Sequence, residues 1–176
     1  MPRKINVVGG GARTNINGLH FEQTTELKDI FLSYPEFEVK GDDIYTKENN
    51  IKVATLFQKH SLYKNLLEVK GLDYKNYISK KLLPDDAILI HNTNTLYIIE
   101  KKFQHGAGSV DEKLQTCDFK KKQYTKLLSP LSIKVEYCYF LSDWFLREEY
   151  NDVKEYIIEV GCHYFFDNIP LSFLNL

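Results

Sequence analysis

Two short apolar runs, Ala87 to Ile90 and Leu96 to Ile99, flank the polar segment His91-Asn92-Thr93-Asn94-Thr95, and charged residues stand at both outer ends. They read as two strands, Asp85 to His91 and Leu96 to Lys102, joined by a hairpin turn. Asn and Thr suit such a turn, though less strongly than an Asn-Gly pair does. A hairpin here commits the middle of the chain to a sheet, and the flanking segments supply what packs on it.

Upstream, Leu19, Gln23, Leu27, Ile30 and Phe31 follow helical spacing, which predicts a helix from about Leu19 to Ser33 that Tyr34-Pro35 ends. Short strands are expected at Ile44 to Thr46 and Lys52 to Phe57, around a turn at Glu48-Asn49-Asn50. A further helix is expected from Ser61 to Val69, closed by Gly71. Downstream, Ser109 with Glu112 three residues on forms a capping box that predicts one long helix to about Leu128, stopped by Pro130. Ser132 to Leu141 reads as a strand, Asp152 to Val160 as a helix and Tyr164 to Phe166 as a closing strand. The mixture predicts an α/β (α+β) domain, a central mixed sheet flanked by helices.

The 176 residues fit one domain, 1–176, and no repeat or Pro/Ser-rich linker divides them. A net charge of −1 excludes a global basic field, so a nucleic-acid partner requires lysines gathered locally. Lysines do cluster at 101, 102, 113, 120, 121, 122 and 126, although such a run is also what a solvated helix face looks like. The aromatic fraction of 14 % serves a core, a base-contacting surface or a dimer interface equally well. Cys117, Cys138 and Cys162 are odd in number and widely spaced, which points to reduced thiols in a cytoplasmic protein. No segment is apolar enough for a signal peptide or a membrane span.

Side chains two apart on a strand share a face, so Glu100 and Lys102 form a pair. With the turn centred on Thr93-Asn94, Asp85 lies opposite Lys102 and Ala87 opposite Glu100. Asp85, Glu100 and Lys102 then share one face, while Asp86 and Lys101 point to the other. A slip of one residue would put Asp86 in place of Asp85. Carboxylates beside a fixed positive charge are what metal-assisted phosphodiester hydrolysis requires. Glu-x-Lys also occurs at Glu26/Lys28, Glu38/Lys40 and Glu68/Lys70, but only Glu100 follows an apolar strand with a Pro-Asp one hairpin upstream.

With Pro84-Asp85 and Glu100-Lys101-Lys102 in these positions, the chain resembles the PD-(D/E)XK nucleases. The wider wording looks like small type II restriction endonucleases: Ser79 to Asp85, Ile98 to Lys102, Gly108 to Gln115, Asn17 to Glu22 and Ile169 to Leu171. The resemblance implies Mg²⁺ bound by Asp85, Glu100 and the carbonyl of Lys101, with Lys102 orienting water and stabilising developing charge. It implies an additional acidic residue at Glu22, where a solvent-facing helix glutamate is the alternative. Gln115 is similar to a glutamine that some relatives carry on the next helix, but those with a Gln-xxx-Tyr motif have Tyr where this chain has Phe119. Lys113 and Gln115 are thus site-adjacent candidates, and Arg13, Asn15 and Asn17 are candidates for DNA contact from the loop before the first helix.

The implied activity is Mg²⁺-dependent cleavage of double-stranded DNA at a short sequence, leaving 5′-phosphate ends. One small subunit with one site implies a homodimer for cutting both strands. A junction- or repair-type nuclease and a non-catalytic DNA-binding protein are the alternatives. Val7-Val8-Gly9-Gly10-Gly11 does not extend to a dinucleotide-binding loop, because Thr14 stands where glycine is required. The five histidines show neither zinc nor HNH spacing.

Overall fold

The computed structural model describes residues 26–104 and 110–176. The described chain forms helices α1 (Leu27–Leu32), α2 (Val110–Leu114), α3 (Cys117–Leu128) and α4 (Asn151–Glu159). Its strands are β1 (Phe37–Lys40), β2 (Asp43–Thr46), β3 (Lys52–Phe57), β4 (Asp86–Ile90), β5 (Thr95–Lys102), β6 (Lys134–Leu141) and β7 (His163–Phe165). They make one mixed sheet in which spatial order follows chain order. Strands β1 to β5 run antiparallel through short turns, whereas β6 and β7 add in parallel. Parallel addition needs a crossover, and the α2–α3 segment and α4 provide the two.

Alternation along the strands sorts the core into two layers. Ala87, Leu89, Leu96, Ile98, Tyr137, Tyr139 and Leu141 face α3, α4 and the turn at 62–67. Ile88, Ile90, Tyr97, Ile99, Cys138 and Phe140 face α1 and the C-terminal segment through Ile169 and Leu174. Glu100 and Lys102 continue the first set, and Lys101 and Asp86 the second. The α/β class expected from sequence is the one observed.

The differences are local. β1 is a strand that the apolar pattern alone leaves unread; it pairs with β2 across a two-residue turn in which Gly41 takes φ +63°, a conformation that side chains resist. The expected helix over 61–69 is present, but five of its residues, Tyr63–Leu67, form a π-helical turn, and Gly71 closes it at φ +70°. Of the expected first helix, Leu27–Leu32 is observed; Glu26, expected inside it, is extended at ψ 135° and begins the helix instead. The part before Glu26 lies outside the described residues, as does Ser109 of the capping box. The long helix expected to Leu128 is two helices. The Lys113 carbonyl accepts from the Thr116 hydroxyl at 2.8 Å and the Tyr139 hydroxyl at 3.0 Å, and these contacts mark the break between α2 and α3.

The hairpin register also differs. Asp86 lies opposite Ile99 and Ala87 opposite Ile98, so Asp85 is brought beside Glu100 and not opposite Lys102. The connection spans four residues, His91 to Asn94, with Asn94 in the left-handed region at φ +48°. Its side-chain amide donates to the Ser132 carbonyl at 2.9 Å, which pins that conformation. The shift is two residues, an even number, so every side chain keeps the face expected of it. Asp86 does not replace Asp85.

Candidate active site

Where the Pro84-Asp85 segment enters β4, neighbouring elements hold it by its backbone. The Lys59 amide donates to the Pro84 carbonyl at 2.9 Å. The Tyr63 hydroxyl, set on the π-helical turn, donates to the Leu82 carbonyl at 2.9 Å and accepts from the Leu82 amide at 3.0 Å. A π turn places a side chain where a regular helix cannot, and such turns are frequent at functional sites. The segment is thereby fixed before its carboxylate is presented.

Asp85 then accepts the Lys101 backbone N–H on Oδ2 at 2.8 Å, a bond from the β5 backbone that ties its carboxylate to the other strand. Lys102 Nζ lies 2.9 Å from Glu100 Oε2 and 3.8 Å from Asp85 Oδ2, and donates to the Lys101 carbonyl at 3.1 Å. One ammonium thus spans both carboxylates and the carbonyl between them. Glu100 is the more enclosed acid, its side chain 8 % exposed against 26 % for Asp85. Asp85, Glu100, Lys101 through its backbone, and Lys102 are therefore brought together.

On the opposite face Lys101 Nζ meets Asp86 Oδ2 at 2.6 Å, with both side chains at 5 % exposure or less. Asp86 Oδ1 accepts from Gln58 Nε2 at 2.8 Å. A buried pair of this kind is costly to break, because either partner alone leaves an uncompensated charge. It clamps β4 to β5 at the level of the site.

Helix α3 supplies what the sequence reading did not single out. Lys120 Nζ reaches Glu100 Oε2 at 3.1 Å. One turn on, Tyr124 is fully buried, and its hydroxyl is raised far above the ordinary tyrosine range by burial and then by the nearby Glu100 charge. Tyr137 on β6 is raised for the same two reasons. The signal was present: Cys117, Tyr124, Leu127 and Leu128 form the buried stripe of α3, and Lys120 falls on it at helical spacing. A lysine on an apolar stripe needs an anion inside, and Glu100 is that anion.

Other expected residues lie elsewhere. The Lys113 and Gln115 side chains are exposed. Gln115 lines a 680 Å³ cavity with Glu149, Tyr150, Asp152, Val153 and Tyr156, and the Lys113 carbonyl accepts from the Tyr139 hydroxyl. Arg13, Asn15, Asn17 and Glu22 lie outside the described residues. Cys117, Cys138 and Cys162 are buried free thiols.

Among the described residues, no group of three or more His, Cys, Asp or Glu side chains is placed to hold a metal ion, and no helix is long and apolar enough to cross a membrane. The acidic pair and the carbonyl between them still suit a hard divalent cation of the Mg²⁺ type, which takes one or two carboxylates and completes its shell with water and substrate phosphate. Compared with protein-family models, curated proteins and solved structures, the chain matches none.

Proposed function

We propose that the protein is a Mg²⁺-dependent endonuclease of the PD-(D/E)XK kind, acting on double-stranded DNA as a type II restriction enzyme does. The observation that supports this is the convergence of Asp85, Glu100 and Lys102 on one face of β4 and β5, with one ammonium reaching both acids. Asp85, Glu100 and the Lys101 carbonyl would hold Mg²⁺. When bound, the ion supplies an activated water and charge against the scissile phosphate.

The chain's own residues do the rest. The Lys101 N–H fixes the Asp85 carboxylate, and the Lys101–Asp86 clamp keeps the strands in the register that sets Asp85 beside Glu100. Lys102, enclosed at 15 % exposure, is a fixed positive charge where negative charge builds on the phosphate. Phosphate contact also needs local cations in a chain of net charge −1, and Lys102 of β5 and Lys120 of α3 provide them at the site. Cleavage of both strands by one site per subunit calls for a homodimer.

Incubating plasmid DNA of known sequence with the protein and Mg²⁺, then mapping the ends, tests the proposal. Discrete double-strand cuts at a repeated short sequence, with 5′-phosphate ends and none in EDTA, are expected. Intact plasmid across divalent cations would overturn it. Cutting of branched but not linear duplex would retain the nuclease and reject the restriction reading.

A further inference from the structure

Two lysines from different elements meet the same oxygen of one carboxylate. Lys102 and Lys120 lie 2.9 and 3.1 Å from Glu100 Oε2. The two ammoniums thus share one carboxylate oxygen, but the two lysines are not equivalent. Lys102 keeps other acceptors, the Lys101 carbonyl at 3.1 Å and Asp85 at 3.8 Å, if Glu100 is taken by another cation. Lys120 has Glu100 as its ion-pair partner and sits in the first turn of α3 on a long, rotatable stem at 25 % exposure, so solvent and substrate can reach it.

We propose that Lys120 is an exchangeable counter-cation: in the metal-free protein it neutralises Glu100, and when a divalent cation takes that oxygen the ammonium swings to a DNA phosphate. The inference rests on the nuclease reading. The exchange breaks no covalent bond and moves no proton; one ammonium leaves a carboxylate for a phosphate, and a divalent cation replaces it. It solves a physical problem of the acidic pair: Lys102 alone sets one positive charge against Asp85 and Glu100, and Lys120 supplies the second until a metal does, in a site built to approach polyanionic DNA. It also makes metal loading and phosphate binding mutually supportive, since each frees or occupies the same ammonium.

The test uses Mn²⁺ as the metal probe, titrated calorimetrically into the DNA-free protein. Lys120→Met keeps the stem and removes the competing charge. Mn²⁺ should bind at least about threefold more tightly than to wild type, the scale of losing one partly exposed ion pair. In Ca²⁺, the slope of log K for DNA against log salt should flatten by about one phosphate contact. Lys120→Arg should restore the salt slope, and Lys122→Met, whose side chain is 72 % exposed, should match wild type in both readouts. A chemical-denaturation midpoint for each variant confirms that folded protein is compared. Unchanged or weaker Mn²⁺ binding by folded Lys120→Met, in a wild type that cleaves DNA, overturns the exchange and leaves the nuclease reading standing. A wild type that neither binds Mn²⁺ nor cleaves DNA overturns both.

Discussion

Lys101→Ala removes a side chain that points away from the proposed chemistry, yet a large effect on stability is expected. The ammonium sits 2.6 Å from Asp86 Oδ2, with the two side chains 5 % and 2 % exposed. After truncation Asp86 keeps the Gln58 amide at 2.8 Å, and among the described residues no other cation is paired with it. Breaking a buried ion pair from one side costs about 3–5 kcal/mol, against about 5–15 kcal/mol for the whole stability of a domain. With a urea m-value of about 2 kcal/mol/M, the unfolding midpoint should fall by about 1.5–2.5 M. Lys101→Met combined with Asp86→Leu removes both charges, leaves Gln58 exposed to solvent, and should recover most of the loss. At low temperature the folded fraction of Lys101→Ala should still cleave DNA near the wild-type rate, because the backbone N–H on Asp85 and the carbonyl beside Lys102 are unchanged. A midpoint within about 0.3 M of wild type, below 1 kcal/mol at this m-value, would refute the clamp.

Lys102→Ala should slow single-turnover cleavage at saturating Mg²⁺ by roughly 10²-fold or more while specific DNA binding in Ca²⁺ survives, since it removes one electrostatic stabiliser and no carboxylate; an unchanged rate would remove Lys102 from the chemistry. Asp85→Asn should abolish cleavage in a protein of near-native stability, whereas Asp86→Asn should chiefly lower the urea midpoint by stranding the Lys101 ammonium. The reverse pattern would contradict the face assignment. Glu136 is held below its ordinary 4.5 by the contact with His163 and by Lys121. A depressed carboxylate stabilises the fold above its unfolded value and loses that contribution as pH falls through the folded one. Stability should therefore decline below about pH 4.5, and less steeply in Glu136→Gln, as acid titration followed by circular dichroism would show.

What could be read from the chain depended on how local its causes were. β4, β5 and β6 carry apolar or β-branched and aromatic runs and α4 a period-3.6 apolar pattern, and they form within a few residues of where those signals place them. Faces were legible as well, since parity survives an even shift of register. Register itself was not, because Asn94 takes its left-handed conformation with help from the Ser132 carbonyl, 38 residues away. The break between α2 and α3 is marked by the same kind of distant partner, the Tyr139 hydroxyl on β6. The sequence leaves Lys120 with its neighbours between a local basic patch and a solvated face, because a run of three lysines hides which of them falls on the buried stripe. The buried Lys101–Asp86 pair was hidden for the opposite reason: charged side chains at a strand end ordinarily lie in water.

In the proposed function Asp85 and Glu100 together hold the catalytic metal, and one side-by-side measurement tests that role most directly. Wild type and Glu100→Gln are purified identically, their binding to cognate DNA is measured in Ca²⁺, and cleavage is then started with Mg²⁺. The account predicts 5′-phosphate ends from the wild type and none from Glu100→Gln, with binding of the variant equal to or tighter than wild type, because one negative charge facing the phosphates is gone. Equal cleavage by both proteins, or loss of binding together with cleavage in folded Glu100→Gln, would contradict it.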